Sequence, residues 1–261
     1  MMTTTTLVDE VSTILHKAYQ TKKPIEFISN QYSLDEATSY AVQDELIKRR
    51  CKSEKLEVAG YKISMTSAET QAIANTHEPA YGTLLTNNIV KSGDGVRLSS
   101  LFDPLIEPEI MFILEEDLSL EASEGEIISK SRLAAGIEIP DARYIDWFPN
   151  FSLTDLLCDN TATGLIVVSE SIAPLSIADL MGIKMELFHN GEKISDGDSS
   201  AVLGNPVTAV AWLSEKLASK GKVLKKGMTI SSGTFISPIR AEKGTYKVSY
   251  SQIGEVEITL K

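Results

Sequence analysis

Three glutamates carry the chemistry that their neighbours impose on them. Glu107 and Glu109 are the only charged residues in the run Leu105-Ile106-Glu107-Pro108-Glu109-Ile110-Met111-Phe112-Ile113-Leu114. A strand changes side at every residue, so the two carboxylates share a face. Either that face is wet and the apolar residues turn inward, or the pair is buried. Burial beside a like charge disfavours ionisation of both groups, and a bound cation removes both penalties. Pro108 cannot donate to a ladder, which predicts an edge or a bulge here, a setting that often borders active sites.

Glu138 is again a lone carboxylate in an apolar run, Ala134-Ala135-Gly136-Ile137-Glu138-Ile139. Three carboxylates without a nearby Cys or His make a hard oxygen site. That donor set selects Mg2+, Mn2+ or Ca2+ over Zn2+. Asp141 either supports the site or caps a turn at Pro140, and the turn is the favoured reading.

The rest of the composition narrows the partners. A net charge of −11 repels phosphate backbones and argues against nucleic acid. A small anionic substrate would then need a local cation, which a bound metal supplies. No apolar run approaches the ~20 residues of a membrane span. The N-terminus, Met1-Met2-Thr3-Thr4-Thr5-Thr6, lacks the basic and apolar regions of a signal peptide. Cys51 and Cys158 form no CxxC and read as reduced thiols of a cytoplasmic protein. There is no P-loop, dinucleotide fingerprint or Ser-His-Asp pattern.

The elements that must position the glutamates divide into a helical first part (1–57) and a β-rich catalytic domain (58–261), read as one structural unit. Leu7, Val11, Ile14, Leu15 and Ala18 predict a helix from Thr6 to about Gln20, closed by Lys22-Lys23-Pro24. Ser33 and Glu36 predict a capping box opening a second helix. Strands are expected at Val58–Ile63, Gly82–Leu85, Ile89–Val90 and Leu105–Leu114, with a short helix from Thr66 fading by Asn75. A helix at about Gly125–Leu133 precedes a strand at Ala134–Ile139. Further strands are expected at Leu165–Val168 and Ile183–Phe188, the latter followed by an Asn190-Gly191 hairpin turn. Asn205-Pro206 opens a helix that Gly221 ends. Met228–Ser231, Tyr246–Tyr250 and Glu255–Leu260 finish as strands. Many short strands with few helices argue for a barrel or sandwich with helical additions.

The motifs together resemble the fumarylacetoacetate hydrolase superfamily. Glu107-Pro108-Glu109 followed by Ile137-Glu138-Ile139 is similar to its metal-binding E-x-E…E pattern. Gly60-Tyr61-Lys62-Ile63-Ser64-Met65-Thr66-Ser67, Tyr81-Gly82-Thr83-Leu84 and Asp159-Asn160-Thr161-Ala162 resemble further segments. So do Leu203-Gly204-Asn205-Pro206 through Ala209-Val210-Ala211-Trp212-Leu213, and Ser232-Gly233-Thr234-Phe235 with Pro238. The resemblance is collinear over nearly the whole chain. It is best to the branch of 2-oxopent-4-enoate and 2-oxohept-4-ene-1,7-dioate hydratases and 4-oxalocrotonate decarboxylase. The implied fold is α+β, a mixed β-roll or barrel-like core with an N-terminal helical segment.

The resemblance implies a homo-oligomeric lyase of aromatic or related carbon catabolism, with Mg2+ or Mn2+ at Glu107, Glu109 and Glu138. Its substrate would be a small 2-hydroxy-2,4-dienoic or 2-oxo-4-enoic acid, held by the C1 carboxylate and C2 oxygen. Protonation at the far end of the dienol and addition of water at C4 give a 4-hydroxy-2-oxo acid. Thr66, Ser67, Thr234 and Phe235 are implied to contact substrate. Lys62, on composition alone a surface lysine, becomes the candidate for proton transfer. Family hydratases carry Asp where this chain has Ala80, and Glu78 is the candidate to replace it. Ser237 stands where many have Arg. The alternatives are a decarboxylase or tautomerase on the same metal site, an acylpyruvate-type C–C hydrolase using His77 with Glu78, or an inactive partner subunit.

Overall fold

The computed structural model describes residues 3–261; Met1 and Met2, where the expected leaderless N-terminus begins, lie outside the described residues. Two helices lead, α1 (Thr4–Thr21) and α2 (Glu36–Glu54). Next come β1 (Val58–Ser64), α3 (Ala68–Ala74), β2 (Ala80–Leu85), β3 (Ile89–Lys91) and β4 (Gly95–Val96). The middle of the chain forms β5 (Leu105–Leu114), α4 (Glu124–Ser129), β6 (Ser131–Ile139), α5 (Leu153–Cys158) and β7 (Leu165–Val168). Then follow α6 (Ile177–Leu180), β8 (Lys184–His189), β9 (Glu192–Asp198) and α7 (Pro206–Ala218). The last four strands are β10 (Thr229–Ser231), β11 (Ile239–Arg240), β12 (Gly244–Tyr250) and β13 (Gly254–Leu260).

The strands form two sheets. One runs β2-β1-β10-β5-β6-β7-β3, with β11 also on β5; the other runs β4-β13-β12-β8-β9. Both mix parallel and antiparallel pairs. The second sheet packs β12 and β13 on β6, and Tyr250 Oη donates to the Gly136 carbonyl at 2.8 Å. Apolar residues of the first helices, Val11, Leu15, Val42 and Leu46, share one buried cluster with Ile106, Ile110 and Phe112 of β5. That burial of apolar area is the main force holding the layers together.

Local readings hold where the signal is local. Asn205 caps α7 by accepting from Val207 N, with Pro206 at its first turn. Ser67 caps α3 by accepting from Thr70 N. The second helix corrects its expected start: Asp35, not Ser33, is the cap, its carboxylate accepting from Thr38 N at 2.8 Å. Two good capping residues lie two positions apart, and the carboxylate takes the stronger, charge-assisted bond. The helix expected to reach Leu133 stops at Ser129, because Ser131 already pairs with Leu114 and β6 ladders against the full C-terminal half of β5.

Pro108 corrects a second expectation. It lies on a central strand, paired with Ile137 of β6 on one side. On the other side β10 pairs only with residues 111–113 and β11 with residues 105–106. Pro108 faces the gap between them, where its carbonyl accepts from Phe235 N at 3.2 Å. The missing N–H therefore falls where no ladder bond was available.

Candidate metal centre and active-site cavity

The register of β5 against β6 builds the centre. Glu107 stands directly opposite Glu138, and Glu109 is two residues along the same face. One carboxylate oxygen from each of the three lies within 4.8 Å of the others. All three are buried, at 8%, 0% and 1% exposure. The wet-face reading of Glu107 and Glu109 is therefore excluded. Full charges this close would repel by roughly 3 kcal/mol per pair at an effective dielectric of about 20.

Three groups of the chain offset part of this. Lys62 on β1 reaches across β10 and β5 to place Nζ 3.0 Å from Glu138 Oε1. Ser231 Oγ makes a short hydrogen bond to Glu109 Oε2, which also accepts from Gly233 N at 2.8 Å. Gly233 is required at that position. Its φ is +119°, and a Cβ there would stand 2.4 Å from the Thr66 hydroxyl.

The compensation is incomplete. Glu109 Oε1 and Glu138 Oε2 are buried without a hydrogen-bond partner among the described residues. Burial, reinforced by the charge of Glu138 and opposed by Lys62, pushes the Glu107 carboxyl up to about 8. Burial and the charges of Glu138 and Glu107 hold Glu109 well above the usual carboxylate range, despite its bonds from Ser231 and Gly233. Three carboxylates against one ammonium leave two negative charges, the complement of a divalent cation. Orphaned, buried, all-oxygen donors fit a hard ion such as Mg2+ or Mn2+.

A cavity opens beside the centre. Lys62 and Glu107 line it together with Thr66 and Thr234, and Trp147, Phe148 and Phe151 stand in its wall. The structure thus brings together Lys62, Glu107, Thr66 and Thr234 as the sequence led us to expect. Ser67 is not in the lining, its hydroxyl being committed to the α3 cap. Phe235 turns away from the cavity into the core, edge-on to Tyr250 with ring centroids 5.6 Å apart.

Glu78 is not brought in. Its Oε1 pairs with Lys216 Nζ of α7 at 2.7 Å, outside the cavity lining. Ala80 is buried opposite Ser64 on β1, and His77 is exposed. Ser237 Oγ donates to Glu69 Oε1 of α3 at 2.7 Å. Asp141 holds the loop that enters β5, accepting from Phe102 N at 3.0 Å and Asp103 N at 2.9 Å.

Sequence reasoning passed over Ser231, the Gly233 amide and the aromatic wall. Ser231 carried no signal of its own: it is one hydroxyl at a strand end, given meaning only by its position beside Met111 of β5. Asn160, Thr161 and Ala162 form a run of left-handed residues, at φ 53°, 54° and 50°. Such residues cost roughly 1–2 kcal/mol each. Side-chain bonds offset this. Asn160 Oδ1 accepts from Thr83 N at 2.7 Å and its Nδ2 donates to Thr83 O at 2.9 Å. Thr161 Oγ1 donates to Tyr81 O at 2.6 Å. Ala162, in the cavity wall, is fixed by this clamp, as its carbonyl accepts from Asp141 N at 2.8 Å.

The comparisons with known proteins agree with this site. The fold superposes with a TM-score of 0.91 on 4-oxalocrotonate decarboxylase from Pseudomonas putida G7, complexed with magnesium and adipate, at 25% identity over 100% of this chain and 99% of that one. A protein from Yersinia pestis CO92 assigned to the fumarylacetoacetate hydrolase family matches in fold, with a TM-score of 0.58 at 13% identity over 77% of this chain and 92% of that one. The chain is 33% identical over 229 residues to 2-keto-4-pentenoate hydratase from Burkholderia vietnamiensis (strain G4 / LMG 22486), covering 86% of each. No protein-family model matches the chain. The chain belongs to the family of the 2-keto-4-pentenoate hydratases, to which 4-oxalocrotonate decarboxylase is similar in fold and sequence, and it shares its fold with proteins of the fumarylacetoacetate hydrolase type.

Proposed function

We propose that the chain is a divalent-metal-dependent hydro-lyase, adding water to a 2-hydroxy-2,4-dienoate or its 2-oxo-4-enoate tautomer to give a 4-hydroxy-2-oxo acid in aromatic or related catabolism. The observation that carries it is the buried trio Glu107, Glu109 and Glu138 with Lys62 beside it. The hydratase identity of the relative at 33% supports the reaction type.

Glu107, Glu109 and Glu138 would hold Mg2+ or Mn2+. When bound, the ion supplies Lewis-acid stabilisation of negative charge on the substrate's C2 oxygen, worth several kcal/mol. The chain's own groups do the rest. Thr66 and Thr234 orient the acid head in the cavity. Ser231 and Gly233 fix the Glu109 carboxylate, so that its free oxygen keeps one direction. Lys62 Nζ holds a proton between Glu138 and the cavity, within reach of a bound dienol. The aromatic wall excludes bulk water, which confines proton transfer to placed groups. Residues 1–57 and 58–261 act as one unit, in the cytoplasm and as a homo-oligomer.

A second reading, loss of CO2 through the same enolate, is favoured by the fold match to the decarboxylase. Glu109→Gln separates the metal–enolate platform from its absence. Calorimetry with Mg2+ or Mn2+ is expected to show binding by the wild type and none by the variant. No binding by the wild type, even with oxalate present as an enolate mimic, sinks the reading. Turnover of 2-hydroxypentadienoate against 4-oxalocrotonate then decides between hydration and decarboxylation.

A further inference from the structure

One edge of the cavity is made by the end of β1. Lys62 and Ser64 are two residues apart on that strand, so their side chains leave it on the same face. β10 pairs with β1 only as far as Ser231, opposite Lys62, so Ser64 lies beyond the last rung of that ladder. On the other side Ser64 stands opposite Ala80 of β2, whose buried methyl carries no polar atom. Ser64 is half-buried and lines the cavity together with Lys62.

Most polar groups of the lining are already committed. Lys62 Nζ pairs with Glu138 at 3.0 Å, and Glu107 belongs to the metal centre. Thr70 Oγ1 donates to Ser67 O at 3.1 Å, Thr234 Oγ1 to Ile236 O at 3.0 Å and Trp147 Nε1 to Asp103 O at 2.7 Å. The Ser64 and Thr66 hydroxyls line the same cavity and have no hydrogen-bond partner among the described residues. Thr66 stands against Gly233, whose N–H bonds Glu109, and this places its hydroxyl at the metal end of the cavity. Ser64 is thus the free hydroxyl on the face of Lys62. A hydroxyl oxygen can accept a hydrogen bond from a water molecule and leave the water's own lone pairs free for attack.

We infer that Ser64, with Lys62, holds the water that adds to C4 of the substrate. The inference rests on the hydratase reading of this site. Lys62 gives its proton to C5 of the dienol while the enol proton leaves to solvent, and Lys62 remains as a neutral amine. The product of this ketonisation is a conjugated 2-oxo-3-enoate. Ser64 Oγ accepts one O–H of the water, and the other O–H faces the Lys62 amine. On attack the O–C4 bond forms, the C3=C4 pair moves through C3 and C2 onto the C2 oxygen, and the second water proton passes to Lys62. Lys62 then protonates C3, which restores the C2 carbonyl, and recovers its proton from solvent. Water addition therefore needs both residues, whereas ketonisation needs Lys62 alone.

The test follows the two steps separately in the intact protein with saturating Mg2+ and 2-hydroxypenta-2,4-dienoate. Ketonisation is read as loss of the dienol and as deuterium entering C5 in D2O. Water addition is read as formation of 4-hydroxy-2-oxopentanoate. Ser64→Ala is expected to slow water addition on the order of 100-fold, with ketonisation within about twofold of wild type, so that the 2-oxo-3-enoate accumulates. Ser64→Thr keeps the hydroxyl on a side chain suited to a strand and is expected to restore most of the water addition. Calorimetry with Mg2+ and oxalate, and the thermal midpoint, should match wild type in both variants. A crystal structure of the wild type with Mg2+ and oxalate should show a water on Ser64 Oγ, and its absence overturns the inference even if Ser64→Ala does not fold. Equal loss of both steps, a rise in KM alone, or undiminished water addition by Ser64→Ala also overturns it, while hydration by the wild type leaves the hydratase reading standing. Ketonisation without water addition by the wild type overturns both.

Discussion

Lys62 Nζ stands 3.0 Å from Glu138 Oε1, with both side chains closed to solvent, although β10 and β5 lie between their strands. The pair joins the metal centre to the cavity. Lys62→Met is expected to lower turnover by about 100-fold or more, the range of a lost acid–base group. It leaves Glu138 uncompensated, so the metal-free variant loses about 3–5 kcal/mol of stability. Metal binding is expected to survive, because the cation now supplies the only compensation. Calorimetry with Mg2+ checks this: loss of metal binding would assign Lys62 a structural role in the centre instead of a part in proton transfer.

Stability without metal should fall as pH rises. The folded Glu107 carboxyl titrates near 8, above the ordinary value of 4.5 that the unfolded chain takes. A raised folded value favours the protonated form. Its stabilising contribution is complete below about pH 4.5 and is lost as pH passes through about 8. Bound Mg2+ acts oppositely, favouring the carboxylates. Thermal melts at pH 6 and pH 9, with chelator and with Mg2+, should show the metal-free midpoint dropping and the metal-induced gain widening. A metal-induced gain that shrinks with pH would contradict the buried-trio account.

Glu78→Gln tests the group that sequence reasoning chose to replace the missing Asp. Its carboxylate pairs with Lys216 at 2.7 Å and its side chain is 42% exposed. Exposed pairs contribute about 0–1 kcal/mol. The variant should retain turnover within about twofold and fold normally. A hundredfold loss of kcat at unchanged midpoint would return Glu78 to the reaction.

Gly82→Ala probes the clamp behind the cavity. A Cβ on Gly82 would meet the Asn160 carbonyl oxygen at 2.5 Å and the Thr163 hydroxyl at 2.2 Å. The first is backbone, fixed by two hydrogen bonds between Asn160 and Thr83. Forcing them apart is expected to cost about 1–3 kcal/mol. Because Ala162 lines the cavity in the same turn, KM should rise with it. Denaturant unfolding and steady-state kinetics on one preparation check both effects.

Much of the site was legible because it is local. Period two alone puts Glu107 and Glu109 on one face, and the apolar neighbours of Glu138 mark its strand as buried. Asn205-Pro206 announces a helix start by a side-chain bond that reaches only two residues. Ser33 misled for the same reason: within two residues, Asp35 offered a stronger acceptor.

What sequence alone determined, then, is the donor chemistry: three carboxylates on apolar strands, with hard-ion preference, and the elements that carry them. Tertiary structure decided which groups meet. Register set Glu138 opposite Glu107, and the order β1-β10-β5-β6 brought Lys62 and Ser231 to the same face. It also sent Glu78 to Lys216 on a distant helix, turned Phe235 into the core and gathered Trp147, Phe148 and Phe151 into one wall. Strand pairing and core packing join residues far apart in the chain, and neither the periodicity nor the propensity of one segment contains that information.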